Sequence, residues 1–199
     1  MLVITAGLLA VPAPPLWAGN EVLAPTLGDD GLYHHAWFEN SLLDLRDDLA
    51  AAKAADKRLA LIFEVRGCPY CKKLQTEILT RPDINRFVRA RFDIVQLNLT
   101  GDREVTDFDG KVMSEKQLAA RWRVMLSPSI IFLPVRAGEP AKTGFDIEVG
   151  RMTGGYDADL VADMFHWVDK RLYAEGVTYG QYATRRMAER NKLARQTTN

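Results

Sequence analysis

The only two cysteines of this chain stand together, as Cys68-Pro69-Tyr70-Cys71. The apolar run Leu59-Ala60-Leu61-Ile62-Phe63 precedes them, and the helix-like stretch Lys72-Lys73-Leu74-Gln75-Thr76-Glu77-Ile78-Leu79 follows. A strand that delivers C-x-x-C to the first turn of a helix is the layout of a dithiol–disulfide redox centre. The first thiol then lies at a helix N-terminus, where free N–H groups and the macrodipole favour an anion. A thiolate is the nucleophile of disulfide exchange, so the placement selects chemistry as well as structure.

A chain of 199 residues can bury a full core without covalent staples, so folding does not require the cysteine pair. Apolar residues make up 47% and charged residues 26%, as in ordinary soluble domains, and 26 Lys and Arg balance 26 Asp and Glu. Without a net field, nothing favours nucleic acid or an anionic surface as a partner of the whole molecule. Residues 1–18 read as an export signal: Leu2 to Val11 is apolar but too short to span a bilayer, and Leu16-Trp17-Ala18 offers a small residue before Gly19. No Lys or Arg precedes that run and Leu16 is large for its position, so a frayed hydrophobic terminus is the alternative. Residues 19–31 read as a linker, 32–175 as one domain and 176–199 as a helical tail.

Periodicity predicts a helix capped by Asn40 or Ser41 and running to Ala55, with Leu42, Leu43, Leu45 and Leu49 inward. Strands are expected at Leu59–Val65, Phe92–Leu99, Ile130–Leu133 and Asp146–Val149, the last ended by Gly150. Pro82 suits the start of a short helix, Ser114 and Gln117 form a capping box, and Asp157 caps a longer helix that ends at Gly176. Residues 101–112 are polar and acidic and read as a loop, and residues 136–144 as a turn. Thr178 starts a final helix, basic and amphipathic. Strands alternating with helices predict an α/β domain with a parallel core and an antiparallel edge.

Cys68 is the expected attacking thiol. Thiols in this position have pKa values lowered from about 8.5 into roughly 3.5–7.5. Pro69 fixes φ and has no N–H to leave unpaired. Cys71, one turn further in, suits the resolving role. Lys72 and Lys73 add positive charge or form a solvated face. A half zinc site is disfavoured because His34, His35 and His166 are not at partner spacing, and no metal site is expected. An inert disulfide closing so short a loop gives little entropic gain.

Ser127-Pro128 follows about sixty residues later, just before a strand. With the element order around Cys68-Pro69-Tyr70-Cys71, it makes residues 36–172 resemble the thioredoxin superfamily. The fold implied is a central mixed sheet flanked by helices, here with a basic C-terminal helical extension. The resemblance implies a cis-proline at Pro128, beside the disulfide, with Ser127 offering backbone hydrogen bonds to an extended substrate. Pro69, Tyr70, Ser127 and Pro128 are thus the implied substrate-binding residues. From the residues alone, Pro128 reads equally well as a trans turn before an edge strand. The superfamily's buried acid, six residues before the first cysteine, is replaced by Ile62, and its usual Trp before that cysteine by Gly67. Glu64 shares a strand face with Ile62 and is the candidate replacement, a catalytic acid assisting Cys71. An ion pair with Arg66 or Lys72, or exposure at the strand end, is its alternative.

The pattern Phe63-Glu64-x-x-Gly67-Cys68-Pro69-Tyr70-Cys71-Lys72-Lys73-Leu74, the acidic insertion at 101–112 and Gly155-Tyr156 are similar to the exported thioredoxins of bacterial sulfur-oxidation (Sox) gene clusters. That resemblance implies a periplasmic protein-disulfide reductase, with sulfur-oxidation or cytochrome c maturation factors as clients and a membrane thiol-electron transporter as reductant. A thiol oxidase or isomerase, or a non-enzymatic adaptor, is the alternative. No cofactor is expected, since no G-x-G-x-x-G is present. His34-His35 reads as exposed, Phe165 and Trp167 as core. The tail from Arg171 carries six Arg and Lys against two Glu, a solvated face or a contact for an acidic partner or anionic lipid.

Overall fold

The apolar run before the cysteines becomes the central strand of a four-stranded sheet. The computed structural model describes residue 22 and residues 24–134 and 142–197. The expected export signal and most of the turn at 136–144 lie outside the described residues. A small antiparallel hairpin, β1 (Thr26–Leu27) and β2 (Tyr33–His34), leads to α1 (Leu45–Ala54) and β3 (Arg58–Glu64). α2 (Pro69–Lys73) continues into a π-helical turn, Leu74–Ile78, before α3 (Pro82–Arg91) and β4 (Phe92–Asn98). A second hairpin, β5 (Glu104–Thr106) and β6 (Val112–Ser114), precedes α4 (Glu115–Arg121). The order then runs β7 (Ser129–Phe132), α5 (Gly144–Ile147), β8 (Gly150–Thr153), α6 (Ala158–Asp169), a 3₁₀ turn (Leu172–Glu175) and α7 (Tyr179–Thr197).

The sheet order is β4-β3-β7-β8, with β3 parallel to β4 and antiparallel to β7, and β7 antiparallel to β8. All seven residues of β3 are buried, which is why this strand reads as a continuous apolar run rather than an alternation. Alternation still sorts its side chains between two cores. Ala60 and Ile62 join Leu74, Ile78, Ile84, Phe132 and Phe165 on one face. Leu59, Leu61 and Phe63 join Leu45, Leu49, Leu118 and Trp122 on the other. Burying a side chain of this size contributes about 1.5–3 kcal/mol, so the two layers dominate stability.

Several expectations are corrected. The first helix starts at Leu45, not near Ser41: Asp44 caps it, Ser41 Oγ accepts from the Leu43 N–H, and Leu43 turns to φ 64°. Leu42 is consequently 98% exposed. The acidic stretch is the β5–β6 hairpin rather than a loop. Asp107, fully buried beside it, accepts from Arg121 Nη1 (2.8 Å), Trp122 Nε1 (3.1 Å) and the Gly144 N–H (3.0 Å). Gly144 is required where α5 meets Trp122, because a Cβ there would lie 1.8 Å from the indole. Residues 144–147 are therefore helical, and Gly150 begins the edge strand instead of ending one. Residues 26–27, expected in a linker, pair with β2. The helix capped by Asp157 ends at Asp169, and Gly176 closes the 3₁₀ turn.

The tail is not wholly a solvated face. Tyr182 and Ala183 are buried against α6, and Trp167 Nε1 donates to the Val177 carbonyl at 2.8 Å. Buried Asp163 of α6 accepts from Arg186 Nε (3.2 Å) and Arg190 Nη1 (3.0 Å). Phe165 and Trp167 are core residues, as expected.

Candidate redox site

β3 ends at Glu64, and three residues later the chain reverses through Gly67, whose φ of 77° is a conformation that L side chains rarely adopt. That turn presents Cys68 as the N-cap of α2, with Pro69 in the first turn. Cys68 and Cys71 form a disulfide with Cα atoms 5.2 Å apart. Cys68 Sγ accepts from the Cys71 N–H at 3.0 Å, so one of the helix's unpaired donors is aimed at the leading sulfur. Cys71 is buried and Cys68 half-buried.

The start of β7 lies beside the end of β3, with Phe63 paired to Ser129. This register brings the Ser127–Pro128 peptide, which is cis, against the disulfide: Cys68 Sγ is 3.6 Å from the Ser127 carbonyl oxygen. The Pro128 carbonyl is taken by the Gly154 N–H at 2.8 Å. Tyr70 is 59% exposed, and its ring lies so close to Gly155 that a Cβ there would be 2.3 Å from Cδ1. Met125 (81%) and Leu126 (59%) are also exposed, just ahead of Ser127. Exposed aromatic and apolar side chains thus follow Cys68 in the chain and precede Ser127.

Glu64 points inward, on the Ile62 face, and is 1% exposed. Neither Arg66 nor Lys72 pairs with it. Its Oε2 instead accepts from Gln75 Nε2 at 2.8 Å and from Gln96 Nε2, while Oε1 has no protein partner among the described residues. Burial pushes its pKa up to about 7, against the lowering effect of the two amides. Glu64, Cys68 and Cys71 line one cavity of about 430 Å³, walled by Leu32, Tyr33 and Val65. Arg66 holds the β1–β2 turn over this side, donating to the Asp30 carbonyl (3.1 Å) and the Asp29 carbonyl (2.6 Å).

The cluster contains residues the sequence reading passed over. Gln75 is fully buried and sits on the stripe Cys71, Leu74, Gln75, Ile78; a polar residue on an apolar helical stripe was the available signal. Gln96 pairs in register with Ile62 and shares its face, and it also donates to the Tyr33 carbonyl at 3.0 Å. His35, expected to be exposed, is 4% exposed, and its Nε2 donates to the Gln75 carbonyl at 3.1 Å. Burial drives its pKa down to about 4, so it is neutral there. Lys72 and Lys73 are exposed.

Residues 45–166, more than half of the chain, match the family model described as a thioredoxin-like domain. The chain belongs to the thioredoxin-like family. Among solved structures, a thioredoxin-fold protein from Helicobacter pylori superposes with a TM-score of 0.53 at 18% identity, covering 67% of this chain and 81% of that one. A thioredoxin from Thermus thermophilus gives 0.48 at 26% identity, covering 63% and 83%. A DsbH oxidoreductase gives 0.40 at 18% identity, covering 73% and 84%. A search of curated proteins finds no match. This thioredoxin-like protein therefore has the fold typical of disulfide oxidoreductases, with a Cys68–Cys71 pair at its expected place.

Proposed function

We propose that this thioredoxin-like protein is an exported thiol–disulfide oxidoreductase that reduces disulfides of client proteins. The observation that carries the reading is Cys68 Sγ itself: it caps a helix, takes the Cys71 N–H and lies 3.6 Å from the Ser127 carbonyl. In the reduced protein, the Cys68 thiolate attacks one sulfur of the client disulfide, held along Ser127-Pro128 and against Pro69 and Tyr70. The other client sulfur leaves as a thiolate. Cys71 then gives its proton to Glu64 and attacks Cys68 Sγ, which releases the second client sulfur. Two electrons pass to the client, and the protein is left in the disulfide state.

A dithiol donor must reduce it again, and a membrane thiol-electron transporter supplies electrons of that class. The resemblance of the segment around Cys68 favours sulfur-oxidation or cytochrome c maturation factors as clients. The tail's exposed basic residues allow peripheral contact with an anionic surface.

The test uses reduced protein and a disulfide-bonded client, with released thiols as the readout. Cys68→Ser should abolish turnover, and Cys71→Ser should accumulate a mixed disulfide whose partner mass spectrometry identifies. Client binding that persists unchanged in Cys68→Ser, with no thiol release from the wild-type protein, would replace the enzyme by an adaptor. The equilibrium with glutathione sets direction, and a strongly oxidising value would reverse the assignment to thiol oxidase.

A further inference from the structure

Helix α2 does not continue as α-helix beyond Lys73. Over Leu74–Ile78 it widens into a π turn, with the Leu79 N–H reaching back to the Leu74 carbonyl at 2.9 Å. Such turns insert one extra residue into a helix and recur at functional sites. Here the inserted register carries Gln75, which is fully buried. Its side-chain amide nitrogen donates to Glu64 Oε2, and its backbone carbonyl takes the His35 Nε2–H. Gln96 donates to the same carboxylate oxygen and is itself oriented by the Tyr33 carbonyl. Both amides thus occupy one oxygen of Glu64, which leaves Oε1 as the oxygen able to take a proton.

We propose that Gln75, placed by the π turn and braced by His35, is a positioning residue that holds the Glu64 carboxyl for proton transfer from Cys71. The inference rests on the reading of Glu64 as proton acceptor. In the step itself the Cys71 S–H bond breaks, its proton goes to Glu64 Oε1, and the sulfur's electron pair forms the bond to Cys68 Sγ while the client thiolate leaves. A buried amide that donates to the ionised carboxylate stabilises that form and favours its role as base. The titratable and charged groups facing Glu64 are Cys71 and Lys72 from α2, Cys68 and Arg66 from the preceding loop, and Asp30, Tyr33 and His34 from the hairpin. His35 reaches it only through Gln75. None of the others donates a hydrogen bond to the carboxylate, so the two glutamines are the groups that orient it.

The probe is 5,5′-dithiobis-(2-nitrobenzoate) added to the reduced full chain in single turnover. The first nitrothiobenzoate released reports attack by Cys68, and the second reports resolution by Cys71. For Gln75→Leu, the second release should slow about fivefold at pH 7, and its midpoint should move up by about one pH unit, because one charge-assisted hydrogen bond is lost. The first release should change far less. Glu64→Gln should remove the pH-dependent limb of the second release altogether. If Glu64→Gln loses the limb while Gln75→Leu keeps the wild-type midpoint, the positioning role is refuted and the acceptor reading stands. An unchanged limb in Glu64→Gln refutes the acceptor reading itself. Equal slowing of both releases in Gln75→Leu would make the residue structural only. Gln75→Met serves the same comparison if the leucine variant does not fold.

Discussion

His35 Nε2 donates to the carbonyl of Gln75 at 3.1 Å, so a neutral imidazole braces the residue that binds the buried acid Glu64. The two titratable ends of this chain act on stability with opposite signs. Glu64 is raised from 4.5 to about 7, so the folded state holds a proton that the unfolded state has lost, and stability falls as pH rises through that window. His35 is lowered from 6.5 to about 4, so the unfolded state binds more protons, and stability falls as pH drops through that window. Each contributes on the order of 3 kcal/mol across its range. Relative to wild type, Glu64→Gln should gain stability as pH rises from 4.5 to 7, and His35→Gln should lose its dependence between 6.5 and 4. Urea melts at three pH values check both slopes; parallel curves for all three proteins would contradict the assignment.

Two glycines that both abut aromatic rings should respond differently to substitution. At Gly144 a Cβ would enter the indole of Trp122, which is fully buried and fixed by Asp107. Gly144→Ala should cost about 2–3 kcal/mol as overpacking. At Gly155 the obstructing ring is that of Tyr70, which is largely exposed and can swing away. Gly155→Ala should leave the melting temperature nearly unchanged and slow exchange with a protein client several-fold, with little effect on a small disulfide. Thermal melts and paired kinetics separate the two cases.

Asp107 is the anchor between the second hairpin, α4 and α5. Its carboxylate receives Arg121, Trp122 and the Gly144 N–H, all within 3.1 Å. Asp107→Ala should destabilise by about 3 kcal/mol, since it strands buried donors. Asp107→Asn should cost less, because its single amide oxygen keeps the donors on one side of the carboxylate, either Gly144 at Oδ1 or Trp122 and Arg121 at Oδ2. A chemical melt ranks the pair.

The C-terminal helix is held by charge as well as by packing. Asp163 is 1% exposed and accepts from both Arg186 and Arg190. Replacing both arginines with alanine should cost about 2 kcal/mol, discounted for their partial solvation. Asp163→Asn in the same background should recover part of that loss, because the uncompensated charge disappears. Failure of the recovery in a double-mutant cycle would show that packing alone secures the helix.

The parts of this molecule that were legible in sequence are those where local pattern and tertiary role agree. The run into Cys68, the Pro69 start of α2, the capping box at Ser114 and the inward face of Glu64 all follow from period and cap chemistry. The misplacements have specific physical causes. Ser41 is a plausible cap, but its hydroxyl serves Leu43, whose left-handed turn delays the helix to Asp44. Gly150 reads as a terminator, yet it opens β8, and glycine is used there because Met164 and Trp167 approach where a Cβ would be, at 2.7 Å and 3.0 Å. His35 reads as exposed, being half of a polar pair. Its burial depends on Trp37, Phe38 and the Gln75 carbonyl, forty residues away, which no local window contains. The π turn is similarly invisible, because it changes register without changing composition.

Arg66 belongs to the short loop between the central strand and the leading sulfur, yet its guanidinium grips two carbonyls of the N-terminal turn. A fluorophore or spin label attached near Asp29 would therefore sit on a mechanical extension of the reactive loop. Any rearrangement that accompanies opening of the disulfide could then be watched from the outside, without touching either cysteine.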